Sequence, residues 1–83
     1  MEKEIKIAAK FYKCRDTAKL FYKDKFYENI EPHTNIIKAV MERHKIDVLD
    51  AILIISNTEM YKDNGMTQML FMAAAVEILE PSK

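Results

Sequence analysis

Cations and aromatic rings alternate in an early stretch of this sequence, and that pattern carries its clearest chemistry. Three basic residues recur every four positions, and three aromatic residues fall three or four positions from them. On a helix such residues share one side. Like charges this close repel, so an anion among them is stabilised, and aromatic rings beside cations suit base stacking. We predict a surface for a partner protein or an anion, the cationic face: Tyr12, Arg15, Lys19, Tyr22, Lys23 and Phe26.

A structural use of the cationic face is the alternative. Aromatic residues at helical spacing often belong to a core, and long basic side chains often lie along apolar rims with their charged ends in water. Asp16 and Asp24 also offset part of the positive charge. The sequence leaves open whether this face is covered by a second copy of the chain, by a partner or by an anion.

Catalytic and metal-binding residues are sparse. Cys14 falls among apolar positions, where a thiol is normally inert, and Ser56 lies on a strongly apolar segment. A single glycine excludes a glycine-rich phosphate loop. His33 and His44, eleven residues apart, would stand about 16 Å apart on one helix, too far for one ion. We expect His33 to be exposed and His44 partly buried, and we expect no enzyme activity, metal or cofactor.

Nucleic-acid binding has little support. Residues 36–61 can be drawn as a helix-turn-helix, but its second helix would open with Asp47 and Asp50, which repel phosphates, and continue AILII, which offers bases almost no donors. The chain has no net charge, although residues 1–28 carry eight basic and five acidic side chains. Weak, non-specific binding by this basic half is therefore an alternative function.

The elements that must position these residues are predicted to be helices. One glycine and two prolines in 83 residues favour a single all-α domain, residues 1–83. We predict a bundle of about four helices. They are a long helix over about 3–28, a second from Pro32 to about Lys45, a third from an Asp47 N-cap to Asn64-Gly65, and a fourth that ends before Pro81.

Two of these helices are predicted to lie deep in the bundle. Ala51–Ile55 are all apolar, which indicates a central third helix, and Gly65 is available to end it in the left-handed conformation. The fourth helix is apolar on nearly every side and must be buried.

The first helix indicates self-association. Its seam of Phe11, Cys14, Ala18 and Phe21, continuing from Ile7, has a period of 3.5 residues, which suits packing along another helix. At about 39 Å it would be twice as long as its neighbours and would overhang them. We therefore predict a homodimer or larger homo-oligomer. The alternative is a kink near Thr17 that lets one chain wrap itself.

The sequence also predicts a cytosolic location. Cys14 is the only cysteine, which fits a reducing compartment. The N-terminus mixes acids and bases and lacks the apolar region of a signal peptide. The longest apolar run, Met69–Val76, is too short to cross a membrane. We expect a soluble, cytoplasmic protein with no membrane partner.

Two stretches, AAKFYKCRDTAKLFY and NGMTQMLFMAAAVEILEP, resemble small uncharacterised helical proteins encoded by bacteriophages and prophages. The resemblance covers most of the chain and implies a viral setting, in which small proteins bind a host protein or block a host defence. It carries no active site. The predicted function is binding and regulating a host protein through an exposed helical face, in the host cytosol. The alternative is an oligomer that sequesters a nucleotide or another anionic small molecule.

Overall fold

Helices make up almost the whole fold. The computed structural model describes the backbone of residues 2–82 and the side chains of residues 9–82. None of the described residues forms a strand, and a 3-10 turn, Lys23–Lys25, separates the first two helices. The predicted all-α bundle with a long N-terminal helix is confirmed. The α-helices are α1 (Glu2–Tyr22), α2 (Phe26–His44), α3 (Val48–Ile55), α4 (Glu59–Lys62) and α5 (Gly65–Leu79).

The last helix, α5, is the centre of the bundle. Every residue from Leu70 to Val76 is buried, as its apolar sequence predicts. Helices α1, α2, α3 and α4 all pack against it. Three consecutive alanines, residues 73–75, are completely buried and leave room for these neighbours to approach closely. One chain therefore covers most of α5, and Met66 and Leu79 near its two ends are 42% and 44% exposed.

Helices α1 and α2 form a hairpin that straddles α5. Cys14 contacts Met72 while Lys19, five residues on, reaches Ser82 beyond the end of α5, so α1 runs parallel to α5. On α2 the ring of His33 contacts Phe71, whereas the earlier Tyr27 reaches Ser82. Helix α2 therefore runs antiparallel to α5.

The predicted 3–28 helix is wrong at its end. Helix α1 stops at Tyr22, and Lys23 adopts a positive φ of 54°, which reverses the chain without a glycine. Helix α1 is unbroken at Thr17, and the reversal that lets one chain wrap itself comes at Lys23 instead. The longest dimension of the fold is 32 Å, shorter than the predicted helix alone. The predicted overhang depends on a helix of about 39 Å, which the described residues do not form. The seam residue Ile7 has its side chain outside the described part.

Pro32 lies inside α2, although we predicted that it starts a helix. The reason is apolar spacing on both sides of it. Phe26 and Ile30 precede Pro32 and are buried, and Ile37 follows and is buried on the same side. Burying each of these side chains is worth about 1.5–3 kcal/mol, which together outweighs the roughly 3 kcal/mol that an interior proline costs a helix.

The predicted third helix is two helices. Ser56 donates to the carbonyl of Leu53 at 2.7 Å, and the Thr58 side chain accepts from Tyr61 N–H as the N-cap of α4. Such short polar side chains compete with the backbone bonds of a helix. The segment is also peripheral, which corrects the predicted central position. Only one side of α3 is buried: Val48, Ala51, Ile52 and Ile55.

The caps match prediction at one helix and differ at another. Asp47 caps α3 as predicted, and its carboxylate accepts from Asp50 N–H at 3.0 Å. Gly65 does not end a helix in the left-handed conformation. Instead Asn64 caps α5 by accepting from two backbone N–H groups, and Gly65 is the first residue of that helix. Asparagine is a favoured N-cap because its side-chain oxygen satisfies free donors in the first turn.

Candidate functional site

The cationic face of α1 lies against the end of α5. Arg15 Nη1 donates to the Glu80 carbonyl at 2.9 Å and lies 3.6 Å from Glu77 Oε2. The side chains of Arg15 and Glu77 are only 12% and 10% exposed. The guanidinium also lies 5.1 Å from the centre of the Tyr12 ring. Arg15 Nε is buried and has no hydrogen-bond partner among the described residues.

Ser82 joins this junction from the C-terminal segment. Its Oγ accepts from Lys19 Nζ at 2.8 Å and lies 2.8 Å from the Tyr27 hydroxyl. The same Oγ lies within 3.1 Å of both Glu77 carboxylate oxygens, and Ser82 N–H donates to one of them at 2.7 Å. A serine hydroxyl has one proton and two acceptor lone pairs. Its proton therefore goes to Glu77, which can only accept, and Tyr27 donates to Ser82.

The structure brings only part of the predicted set together. Tyr12 contacts Arg15, and Lys19 Nζ lies 5.5 Å from the centre of the Phe26 ring. Phe26 itself is 2% exposed and belongs to the core, so it is not available to a partner. Tyr22 is half-buried, with its ring edge-on to Phe21 at 4.9 Å.

Lys23 differs from the other predicted cations. It is exposed and sits at the positive-φ position of the turn between α1 and α2. A lysine in this conformation is strained relative to glycine. It forms part of the chain reversal and does not continue the helical row of Arg15 and Lys19.

The chain supplies the negative groups that its own cations need. Arg15 faces the Glu77 carboxylate and a carbonyl at the end of α5, where the helix dipole is negative. This arrangement favours the structural use of the cationic face over an external anion. Sequence reasoning missed Glu77, Ser82 and Tyr27. A signal for Glu77 was present, because it is the only charged residue in α5 and a buried carboxylate needs a cation.

A pocket of about 390 Å³ opens between α2 and the end of α5. Its charged lining groups are Glu31, Lys38 and Glu77. Two carboxylates against one ammonium do not favour an anionic ligand. Among residues 9–82, no group of three or more histidine, cysteine or acidic side chains is placed to hold a metal ion.

His33 and His44 exchange their predicted environments. His33 is half-buried, with its ring edge-on to Phe71 at 4.8 Å, whereas His44 is exposed. Burial lowers the pKa of His33, and the nearby backbone of Asn29 opposes this in part. The Nδ1 atom of His33 is buried and has no hydrogen-bond partner among the described residues. The expectation for His33 is wrong because it assumes that Pro32 begins the helix, where the next side chain would be exposed.

Cys14 has the surroundings of an inert thiol. It is half-buried, and its Sγ lies 3.5 Å from the Met72 Sδ. Burial raises the pKa of the thiol, although Lys10 and Lys13 act in the opposite direction. The thiolate, which is the reactive form, is therefore disfavoured.

Two pairs of neighbouring apolar residues are left in solvent. Leu20 and Phe21, the α1 patch, are 78% and 63% exposed in the last turn of α1. Leu53 and Ile54, the α3 patch, are 62% and 39% exposed. The predicted place of Phe21 on the packing seam is wrong, because α1 ends one residue later and Phe26 of α2 enters the core.

Two further findings concern membranes and known proteins. Within residues 2–82, none of the helices combines the length and the apolar character that crossing a membrane requires. No protein-family model matches the chain, and neither does any curated protein or solved structure.

Proposed function

We propose that this chain acts by binding another protein, and that the α1 patch is the centre of its recognition surface. The observation that carries the proposal is the exposure of two large apolar side chains at successive positions, Leu20 at 78% and Phe21 at 63%. Single exposed apolar residues are common on protein surfaces. Two large neighbours on a rigid helix, rimmed by charges, are typical of an interaction site.

The proposed surface differs from the predicted one by a rotation about α1. Arg15 and Lys19 make contacts within the chain and are not free to recruit a partner. The exposed side of α1 carries Lys10 and Lys13, followed by the α1 patch. A partner for this side would offer an apolar pocket with acidic groups at its rim.

The resemblance to phage-encoded proteins supplies the proposed setting. The partner would be a host protein in the host cytosol, and binding would regulate or inhibit it. Sequestration of a nucleotide by Arg15 and Lys19 is less favoured, since a nucleotide would have to displace Glu77 and Ser82. Weak binding of nucleic acid by the N-terminal half is less favoured because Arg15 and Lys19, two of its cations, contact the chain itself.

A photo-crosslinking experiment tests the proposal. Phe21 is replaced by p-benzoylphenylalanine, the chain is expressed in a bacterial host and irradiated, and adducts are identified by mass spectrometry. We expect a defined protein adduct, because a bound partner would cover position 21 and lie within reach of the photo-reactive group. Irradiation that leaves the chain free of any protein adduct would overturn the proposal.

The matched control places the same photo-reactive residue at Glu42, which is exposed on α2. An adduct that forms equally at both positions is non-specific and counts against the α1 patch. As a second check, Leu20→Asp in the chain labelled at position 21 should abolish the adduct while leaving the helical circular dichroism unchanged.

A further inference from the structure

We infer that the α1 patch of one copy of this chain docks on the α3 patch of a second copy, which makes self-association heterologous. This inference rests on the proposed function because it uses the same surface, and the α1 patch at the open end of an assembly is the one left for a host protein. The two patches are similar in kind. Each is a pair of adjacent large apolar side chains in the C-terminal half of its helix.

Opposite charge predominates in the two segments that carry the patches. Residues 9–25, which include the α1 patch, carry six basic and two acidic side chains. Residues 47–63, which include the α3 patch, carry one basic and four acidic side chains. Complementary rims of this kind orient two surfaces and exclude pairings between like charges.

The same imbalance holds for the charges that are exposed to solvent. In residues 9–25 the exposed charged residues are Lys10, Lys13, Asp16, Lys23, Asp24 and Lys25. In residues 47–63 they are Asp50, Glu59, Lys62 and Asp63. The basic end of α2, Arg43 and Lys45, precedes the first turn of α3, whereas the α3 patch lies in its second half.

The charge pattern also selects the geometry of assembly. A two-fold dimer that paired two α1 patches would bring lysine-rich rims together, and one that paired two α3 patches would bring acidic rims together. Both are disfavoured by like-charge repulsion. The pairing of unlike patches leaves one patch open at each end, so it adds further copies until a ring closes or a filament grows.

This assembly does not depend on the length of the first helix, which is the basis of the dimer predicted from the sequence. Each chain already buries α5 internally, so copies meet as folded units. Association is then concentration-dependent, and it weakens as salt screens the rims.

A complementation experiment tests this inference on the purified full chain. One variant carries Leu20→Asp and Phe21→Asp, and the other carries Leu53→Asp and Ile54→Asp. Mass is measured by analytical ultracentrifugation over a concentration series. The wild type should form species larger than a dimer at high concentration. Each variant alone should need a concentration roughly thirtyfold higher, or more, to associate.

The decisive sample is the equimolar mixture of the two variants. Each variant keeps the patch that the other lacks, so the mixture should form a 1:1 dimer that does not grow further. Two variants that stay monomeric on mixing overturn the inference, and so does a wild type that stays monomeric throughout. A variant of the α3 patch that still dimerises by itself would show an isologous α1 contact, and would also overturn it.

Controls separate misfolding from loss of docking. Ile36→Asp alters an exposed apolar residue on α2 and should associate like the wild type. If either double variant loses its helical signal, charge reversal serves instead: Lys13→Glu and Asp50→Lys should each weaken association, and mixing them should restore it. A monomeric wild type that still yields an adduct with a different protein in the crosslinking experiment refutes self-docking alone.

Discussion

The guanidinium of Arg15 and the carboxylate of Glu77 lie 3.6 Å apart and join the middle of α1 to the last turn of α5. The same Arg15 nitrogen also donates to the Glu80 carbonyl. Because both side chains are mostly buried, the pair is a structural junction between two parallel helices. Arg15 therefore turns inward, whereas Lys10, Lys13, Lys23 and Lys25 stay exposed. The recognition surface that we propose is the apolar end of α1.

Removing either member of this pair should destabilise the fold. We expect Arg15→Ala or Glu77→Ala to lower the free energy of unfolding by about 3 kcal/mol, since each leaves a mostly buried charge without its partner. The double variant should lose less than the sum, with a coupling of about 1–2 kcal/mol. Urea denaturation followed by circular dichroism measures all four states.

The control for this cycle is Arg43→Ala. Arg43 is exposed in the last turn of α2, so its loss should change stability by no more than about 0.5 kcal/mol. If the Arg15 and Glu77 effects were simply additive, the two side chains would not be acting as a pair.

Replacing Pro32 should stabilise the protein. Proline inside a helix removes one backbone hydrogen bond and crowds the preceding turn. Part of that cost is offset because proline also restricts the unfolded chain. We therefore expect Pro32→Ala to raise the free energy of unfolding by about 1–2 kcal/mol in urea denaturation.

The matched substitution runs in the opposite direction. Ala39 is exposed in the same helix, and Ala39→Pro should cost about 3 kcal/mol or more. A Pro32→Ala protein less stable than the wild type would mean that the proline supports a bend that the packing of α2 needs.

The sequence predicts which segments are helical and buried better than it predicts where the helices begin and end. Polarity and periodicity predict the buried α5 and the Asp47 cap, because both depend on local chemistry. The sequence does not predict the turn at Lys23, because a lysine adopts a positive φ there, where a glycine or asparagine is expected. The prediction that a helix begins at Pro32 is wrong because burial of Phe26 and Ile30 in the tertiary structure outweighs the local cost of the proline.

In the candidate site, likewise, the sequence predicts contacts within one helix but not contacts between distant segments. Helical spacing correctly places Tyr12 beside Arg15, because that contact lies within one helix. It does not reveal that Lys19 meets Ser82, which lies 63 residues away. Nor does it distinguish buried Phe26 from exposed Phe21, since that depends on where the chain turns.

Cys14 should react slowly with alkylating reagents. Its pKa is raised by burial, and its sulfur packs against Met72. We expect iodoacetamide at pH 8 to modify it roughly tenfold or more slowly in the folded protein than in urea, because burial disfavours the thiolate and covers part of the sulfur. Mass spectrometry at timed quenches gives both rates.

A thiol moved by less than one turn serves as the control. In the variant Cys14→Ala with Thr17→Cys, the new thiol lies on the exposed side of α1. It should react at nearly the unfolded rate. Equal fast rates for Cys14 and for the thiol at position 17 would show that Cys14 is accessible.

His33 should make the fold less stable in mild acid. Burial lowers its pKa from the ordinary value of 6.5, so between the folded and unfolded pKa values the unfolded state binds more protons. Its contribution is fully present above about pH 6.5, declines as the pH falls through that range, and is lost below the folded pKa. The slope cannot exceed about 1.4 kcal/mol per pH unit for one proton.

Urea denaturation at several pH values between 5 and 8 should show this decline in the wild type and a smaller one in His33→Gln. His44→Gln alters an exposed histidine and should keep the wild-type profile. An unchanged profile in His33→Gln would assign the acid sensitivity to other groups, and would mean that the ring packed on Phe71 accepts a proton without loosening the α2–α5 contact.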